Sequence, residues 1–206
     1  MSDMTGHIET DVRERILVTA ERLFREVGYQ KTTVADIARA LRMSPANIYR
    51  FFDSKKSINI GVARRLMGQV EAESQAIARA SGSAAERLRD LLKTIHEMNA
   101  ARYVADAKMH EMVAVAMDEN WDVCRSHIDC ITGEIAKVIS DGIVAGEFQV
   151  SDAGLAAACT CTAMVRFFHP QLIAEGADKP SPALDQMIDF VIGALQARHQ
   201  PGSARS

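Results

Sequence analysis

Two helix starts lie close together near the front of the chain, and few folds can satisfy both. Thr33 is followed three residues on by Asp36, and Ser44 is followed at once by Pro45. Threonine and serine oxygens accept from the free amides of a helix's first turn, and an acidic side chain at the third position answers in return. Proline loses nothing at a first helical position, because that amide has no partner there. Between the two starts Val34, Ile37, Ala38 and Leu41 form a short apolar stripe at helical spacing. The pattern predicts two short helices joined by a tight connection.

The rest of the chain declares only helices. Val12, Ile16, Ala20, Leu23, Phe24 and Val27 fall on one stripe, and Gly28 follows as a stop. Asp53 and Ser54 offer a cap for a long helix from about Lys55 to Arg79. SGSAAERL opens another through about Ala100, and two segments cover roughly 102–117 and 119–145. Gly146 to Phe148 reads as a turn. SDAGLAAACTCTAMVRFF is a helix rich in small residues, expected to end near Pro170, and PALDQMIDFVIGALQ is the last one before the polar tail QPGSARS. Nothing reads as strand. The expected class is all-α, with an N-terminal helix-turn-helix domain over residues 1–54, a larger helical domain over 55–200 and the tail at 201–206.

Charge is unevenly placed along this frame. The net charge is -3, yet residues 1–65 hold 12 Lys/Arg against 8 Asp/Glu. An excess of that size suits phosphate contacts on one module while the acidic remainder favours solubility, although an uneven solvated surface explains it equally well. With 48% apolar residues the chain has ample material for a core. The N-terminal stretch MSDMTGHIET is neither basic nor apolar, and no segment approaches the roughly 18 apolar residues of a membrane span. Cys124, Cys130, Cys159 and Cys161 show no paired CxxC spacing and read as reduced thiols. The expectation is a cytoplasmic protein without a signal peptide or membrane contact.

A short second helix after a tight turn has the proportions of an element that enters the DNA major groove. Periodicity turns Ile48 and Phe52 inward, with Phe51 on the flank. It turns Ala46, Asn47 and Arg50 outward, with Pro45 and Tyr49 at the edges. Asn pairs bidentately with adenine and Arg with guanine. Any two amphipathic helices joined by a turn give such a pattern, and many bind nothing. The flanks add weight: Thr33 and Lys55 stand at helix N-termini, where free amides and the dipole favour an anion. A lysine there is misplaced unless a phosphate is present. The Tyr49 hydroxyl can donate to a second phosphate, and Lys56 lies close by.

Over residues 16–58 the run ILVTAERLFREVGYQKTTVADIARALRMSPANIYRFFDSKKSI resembles the DNA-binding end of TetR-type transcriptional regulators in order, spacing and residue type. The stretch ISDGIVAGEFQVSDAGLAA resembles the loop before that family's penultimate helix. The resemblance implies a homodimer paired through the last two long helices, about 151–169 and 182–197. It implies a double-stranded DNA operator, a small-molecule effector, and repression relieved by that effector. Its phosphate-contacting positions fall on Thr33, Tyr49 and Lys55, and its base-reading positions on Pro45, Ala46, Asn47 and Arg50. Three residues depart from the pattern. Arg42 stands where glycine is usual, adding a basic group to the DNA face at a strain of about 1 kcal/mol if the backbone is left-handed. Ala46 replaces a frequent glycine, and Phe51 a frequent histidine.

The resemblance also implies an effector pocket among the middle helices. Candidate lining residues are Met98, Tyr103, Met109, His110, Met112, Met117, Trp121 and Cys124. Methionines suit varied apolar ligands, though at helical spacing they are as readily core filler. Cys159 and Cys161 point to opposite sides of a helix and cannot easily chelate together. With Ala156, Ala157 and Ala158 they suit a close-packed dimer surface. His96, His110 and His127 lack ligand spacing. No metal or other cofactor is implied. Two other readings stand beside the leading one: a helical enzyme using His110 and Glu111, whose side chains diverge by about 100° on a helix, and a DNA-binding protein without an effector.

Overall fold

The computed structural model describes residues 2–103, 108, 112, 115, 121–175 and 182–197. Every element among them is an α-helix: α1 (Ser2–Glu26), α2 (Val34–Ala40), α3 (Pro45–Tyr49), α4 (Lys55–Ala78), α5 (Ala84–Tyr103), α6 (Trp121–Val144), α7 (Ala153–Phe168), α8 (Pro170–Glu175) and α9 (Leu184–Gln196). The all-α expectation holds. The segment expected as a helix over 102–117 lies largely outside the described residues. α8 was not foreseen: the sequence reading took Pro170 only as a stop, whereas a proline ends one helix and is equally suited to begin the next.

The chain forms two compact units. One comprises residues 1–69 with 102–125, and the other 70–101 with 126–206. The cut falls inside α4, well beyond residue 54. The reason is packing: Ile58, Val62 and Leu66 of α4 are buried in the same core as α1, α2 and α3.

In the first unit that core holds Ile16, Ala20 and Phe24 of α1, Ile37 and Ala38 of α2, and Ile48 and Phe52 around α3. Val12 and Leu23 are partly buried beside it, while Val27, expected on the same stripe, is 43% exposed because the helix has already ended. Gly28 sits at φ 105° with its amide bonded to the Phe24 carbonyl at 3.0 Å, closing α1 as a left-handed cap.

In the second unit Leu88, Leu91, Leu92 and Ile95 of α5 pack with Ile131, Ile135, Val138 and Ile139 of α6, Ala157, Met164 and Phe167 of α7, and Ile188, Val191, Ile192 and Leu195 of α9. α5 has two sets of caps. Ser83 and Glu86 form the local box, at 3.1 and 3.2 Å. Glu147, from the expected turn, accepts from the amides of Ala84 and Ala85 at 2.9 and 3.0 Å.

Candidate nucleic-acid interface

Both predicted caps form. The Thr33 hydroxyl accepts from the Asp36 amide at 3.2 Å, and the Asp36 carboxylate accepts from the Thr33 amide at 3.0 Å and its hydroxyl at 2.6 Å. Those bonds, together with Arg39 at 2.7 Å, hold the Asp36 carboxyl below the usual range. The anion at the start of α2 is thus supplied by the chain itself, and the Thr33 hydroxyl proton is already committed. At α3 the Ser44 oxygen accepts from the Asn47 amide at 3.2 Å, and Pro45 takes the first helical position.

The turn between these helices is a Schellman closure. Arg42 has φ 56°, its amide donates to the Arg39 carbonyl at 3.1 Å, and the Met43 amide donates to the Ala38 carbonyl at 2.9 Å. A residue with a Cβ therefore occupies the left-handed position that glycine fills without strain. Arg42 is the only non-glycine with positive φ among the described residues, and its side chain is exposed.

α3 presents the expected division. Ile48 is fully buried and Phe52 nearly so, with Phe51 half-buried at the flank. Pro45, Ala46, Tyr49 and Arg50 are exposed, and Asn47 is half-buried. Tyr49, at 52% exposure, leaves most of its ring and hydroxyl available. Arg13 of α1 secures the far end of this helix in a way that no local pattern announces: it donates to the Phe51 carbonyl at 2.7 Å and lies 4.5 Å above the Phe52 ring.

Lys55 differs from expectation. Its ammonium donates to the Gln30 carbonyl at 3.2 Å and sits 4.3 Å over the buried Tyr29 ring. It is therefore not misplaced in the absence of phosphate: the ring face and the carbonyl offset the unfavourable end of the α4 dipole. Lys56 is exposed.

Four arginines of this unit are held in ion pairs. Arg22, Arg25, Arg39 and Arg65 are held by Glu26, Glu21, Asp36 and the Glu14/Glu21 pair. Arg42, Arg50 and Arg64 make no ion pair among the described residues. The uncompensated arginines thus include two at the turn and end of α3, an arrangement that simple counting of the N-terminal charge could not reveal.

Four of the expected effector residues can be described. Met98 is partly buried against the core of the second unit. Met112 is fully buried in the core of the first, where its carbonyl accepts from the Asn59 amide group at 3.2 Å. Trp121 is 56% exposed, whereas Cys124 is buried and its thiol pKa is pushed up by that burial. Met109, His110, Met117, Glu111 and the side chain of Tyr103 lie outside the described residues. Of the other histidines, His96 bonds the Phe167 carbonyl at 2.9 Å, and His127 pairs with Glu71 at 2.7 Å. No cluster with metal-ligand character occurs among the described residues.

Cys159 is exposed on α7 while Cys161 is half-buried, 3.4 Å from the Thr132 hydroxyl, so the two do point apart. Around Cys159 the outer surface of α7 carries Leu155 and Val165, 64% and 48% exposed, and that of α9 carries Phe190 at 70%. No helix among the described residues is long and apolar enough to cross a membrane.

Comparison with known proteins places these features among relatives. Residues 84–187, just over half of the chain, match the family model described as tetracyclin repressor-like, C-terminal domain, and residues 16–58 match that of bacterial regulatory proteins, tetR family. The chain is 45% identical over 47 residues to the negative transcriptional regulator IcaR of the biofilm operon icaADBC in Staphylococcus aureus, covering 23% of this chain and 25% of IcaR. It is 31% identical over 83 residues to the HTH-type transcriptional regulator BetI of Rhizobium meliloti, covering 40% and 41% respectively. The chain therefore matches about a quarter to two-fifths of these relatives' length. A TetR/AcrR-family regulator from Thermobifida fusca has a similar fold, with a TM-score of 0.62 at 22% identity over 92% of this chain and 99% of that one.

Proposed function

Because the chain belongs to the TetR family of bacterial regulatory proteins, we propose that it is a sequence-specific DNA-binding repressor whose α3 reads base edges in the major groove. The observation that carries this reading is the outward face of exposed Pro45, Ala46 and Arg50 with half-buried Asn47, on a helix whose other face is locked into the core by Ile48 and Phe52. A reading helix must be rigid on one side and bare on the other. Asn47 and Arg50 supply the hydrogen-bonding chemistry for adenine and guanine. Tyr49, Lys55, Lys56 and Arg42 set the docking register on phosphates, and Thr33 joins them by turning its hydroxyl from Asp36 to a phosphate oxygen. Lys55 does so by exchanging or sharing its Gln30 carbonyl contact. The naming of IcaR as a negative regulator supports repression over activation.

The protein acts as a homodimer. The exposed apolar residues of α7 and α9, Leu155, Val165 and Phe190, are the material for a symmetric contact that water would otherwise wet. Two copies of α3 then address successive major grooves about 34 to 36 Å apart. A small-molecule effector bound by the domain over 84–187 favours another spacing and weakens DNA binding through its differential affinity, typically by 1–3 kcal/mol.

Gel-shift titration on DNA upstream of the protein's own gene tests the reading. Asn47→Ala and Arg50→Ala should relax base preference, each by about 1–3 kcal/mol of discrimination. Lys55→Ala should weaken binding to all sequences alike. If both kinds of variant bind as the parent does, the assignment is lost.

A further inference from the structure

A groove runs between α1, the end of α3 and α4, and Arg13, Tyr49, Arg50 and Arg64 line it together with Asp53. We propose that this groove holds a phosphate of the DNA strand flanking the bases that α3 reads, through Arg64 and Arg13 beside Tyr49 and Arg50. The inference rests on the DNA-reading function proposed above and extends the contact surface beyond the helix starts named there.

Three guanidinium groups on one groove repel each other unless something negative joins them. The lining supplies one carboxylate, Asp53, which hydrogen bonds from Ser57 and Ser54, the latter at 3.1 Å, keep anionic, and its single charge offsets only one of the three. Arg13 is anchored by the Phe51 carbonyl and the Phe52 ring, which fixes its plane while leaving further donors of the five-donor fork available. The side chains of Arg50 and Arg64 make no hydrogen bond or ion pair among the described residues. Arg65, next in sequence, is held by two glutamates, so the neighbouring positions differ in kind.

Gly61 keeps the groove walls close. A Cβ there would lie 2.6 Å from a Leu17 methyl and 3.2 Å from the Phe52 ring, so only a bare backbone lets α4 lie this near to α1. The chemistry of the lining, planar forks and a phenol, matches a tetrahedral phosphate, which guanidinium pairs in bidentate fashion. Tyr49 and Arg50 are shared with the reading helix, so the groove opens where a flanking strand would pass. A free phosphate ion has the same chemistry, and the test separates the two sources.

The test uses full-length protein and a duplex from its upstream region, in a long form and a form trimmed close to the half-sites. For Arg64→Ala on the long duplex, the slope of log Kobs against log salt should fall by about 0.9, the release of one phosphate's counterions, with base preference unchanged. On the trimmed duplex Arg64→Ala and the parent should coincide. Arg64→Lys should restore part of the slope. Arg22→Ala, which removes an equal charge already paired with Glu26, should leave the slope unchanged. An unaltered slope for Arg64→Ala, or an equal loss for Arg22→Ala, overturns the inference. So does inorganic phosphate binding, lost in Arg64→Ala by calorimetry, in a variant whose DNA slope is unaltered. A parent protein that binds no upstream DNA would overturn the broader function, and this site with it.

Discussion

In the unit built around α2 and α3, Arg42, Arg50 and Arg64 are left without carboxylate partners. In the other unit Arg87 is held by Asp141, Arg89 by Asp189 and Lys137 by Glu134, while Arg79 and Lys93 make no ion pair among the described residues. Each of these pairs has at least one well-exposed member and contributes little to stability, so the contrast concerns where uncancelled charge remains. The units also differ in what they leave apolar. Around α3 the exposed face is small and polar, with Ala46, Asn47 and Arg50, whereas α7 and α9 expose Leu155, Val165 and Phe190. The first unit gathers Arg50 and Arg64 on one groove beside a bare helix end, and the second exposes apolar surface on α7 and α9. A basic, bare helix face and an apolar face demand opposite partners, and dividing them between two cores allows each to be shaped separately.

The largest test of this division acts on the cores. Phe52→Ala should cost about 3–5 kcal/mol, and Leu91→Ala about 2–5 kcal/mol. Hydrogen exchange should show the first variant losing protection mainly in α1, α2 and α3, and the second mainly in α5, α6 and α7. DNA binding should fail with Phe52→Ala at temperatures where α5 remains protected. Equal loss of protection throughout the chain for both variants would mean that the units do not act as separate cores.

Caps give a smaller and sharper comparison. Glu147→Ala leaves the Ala84 and Ala85 amides without their carboxylate and should cost about 1–3 kcal/mol. Thr33→Ala removes a local cap and should cost about 1 kcal/mol. Thermal denaturation of the two variants checks the order. The difference arises because Glu147 joins α5 to a turn more than sixty residues away, whereas Thr33 secures only its own helix.

That same distinction governs how much could be read in the chain. Thr33 with Asp36, Ser44 with Pro45, and the inward pair Ile48 and Phe52 were all legible because each signal repeats within four residues, the reach of a helical turn. Gly28 was legible for the same reason, whereas the turn position of Arg42 came only from the family resemblance. The Arg13 clasp on Phe51 and Phe52, the Lys55 seat on Tyr29 and Gln30, and the Glu147 cap were not, since their partners meet only after the helices pack. The methionines show the same limit. Periodicity could say that Met112 is buried, but not in which core, and it lies with residues of α1 to α4. Pro170 carried both a stop and a start, and only the stop was read.

Arg42 offers a test in which stability and function separate. Arg42→Gly should raise stability by about 1 kcal/mol, because glycine adopts the left-handed turn without the Cβ clash. The same change removes an unpaired cation from the DNA face and should weaken binding to every sequence. Opposite signs in a denaturation curve and a gel shift would mark a strained residue kept for its charge. If affinity stays level while stability rises, Arg42 does not face the phosphates.

The smallest effect is the pH dependence of the capping box at the start of α2. The folded-state pKa of Asp36 is depressed by the Thr33 hydroxyl and amide and by Arg39. A group of this sign contributes stability that is fully present above its unfolded value of about 3.9 and is lost as pH falls through the lower folded value. Acid melts of the parent should therefore lose the α2 cap below the ordinary carboxylate range. In Thr33→Ala the largest cause of the depression is gone, so the Asp36 titration followed by NMR should move up toward the ordinary value. Because Asp36 is exposed and screened, the accompanying stability change should be small. An Asp36 that titrates alike in both proteins would show that the box at the start of α2 does not persist in solution, and the second helix start would then have to fix the turn alone.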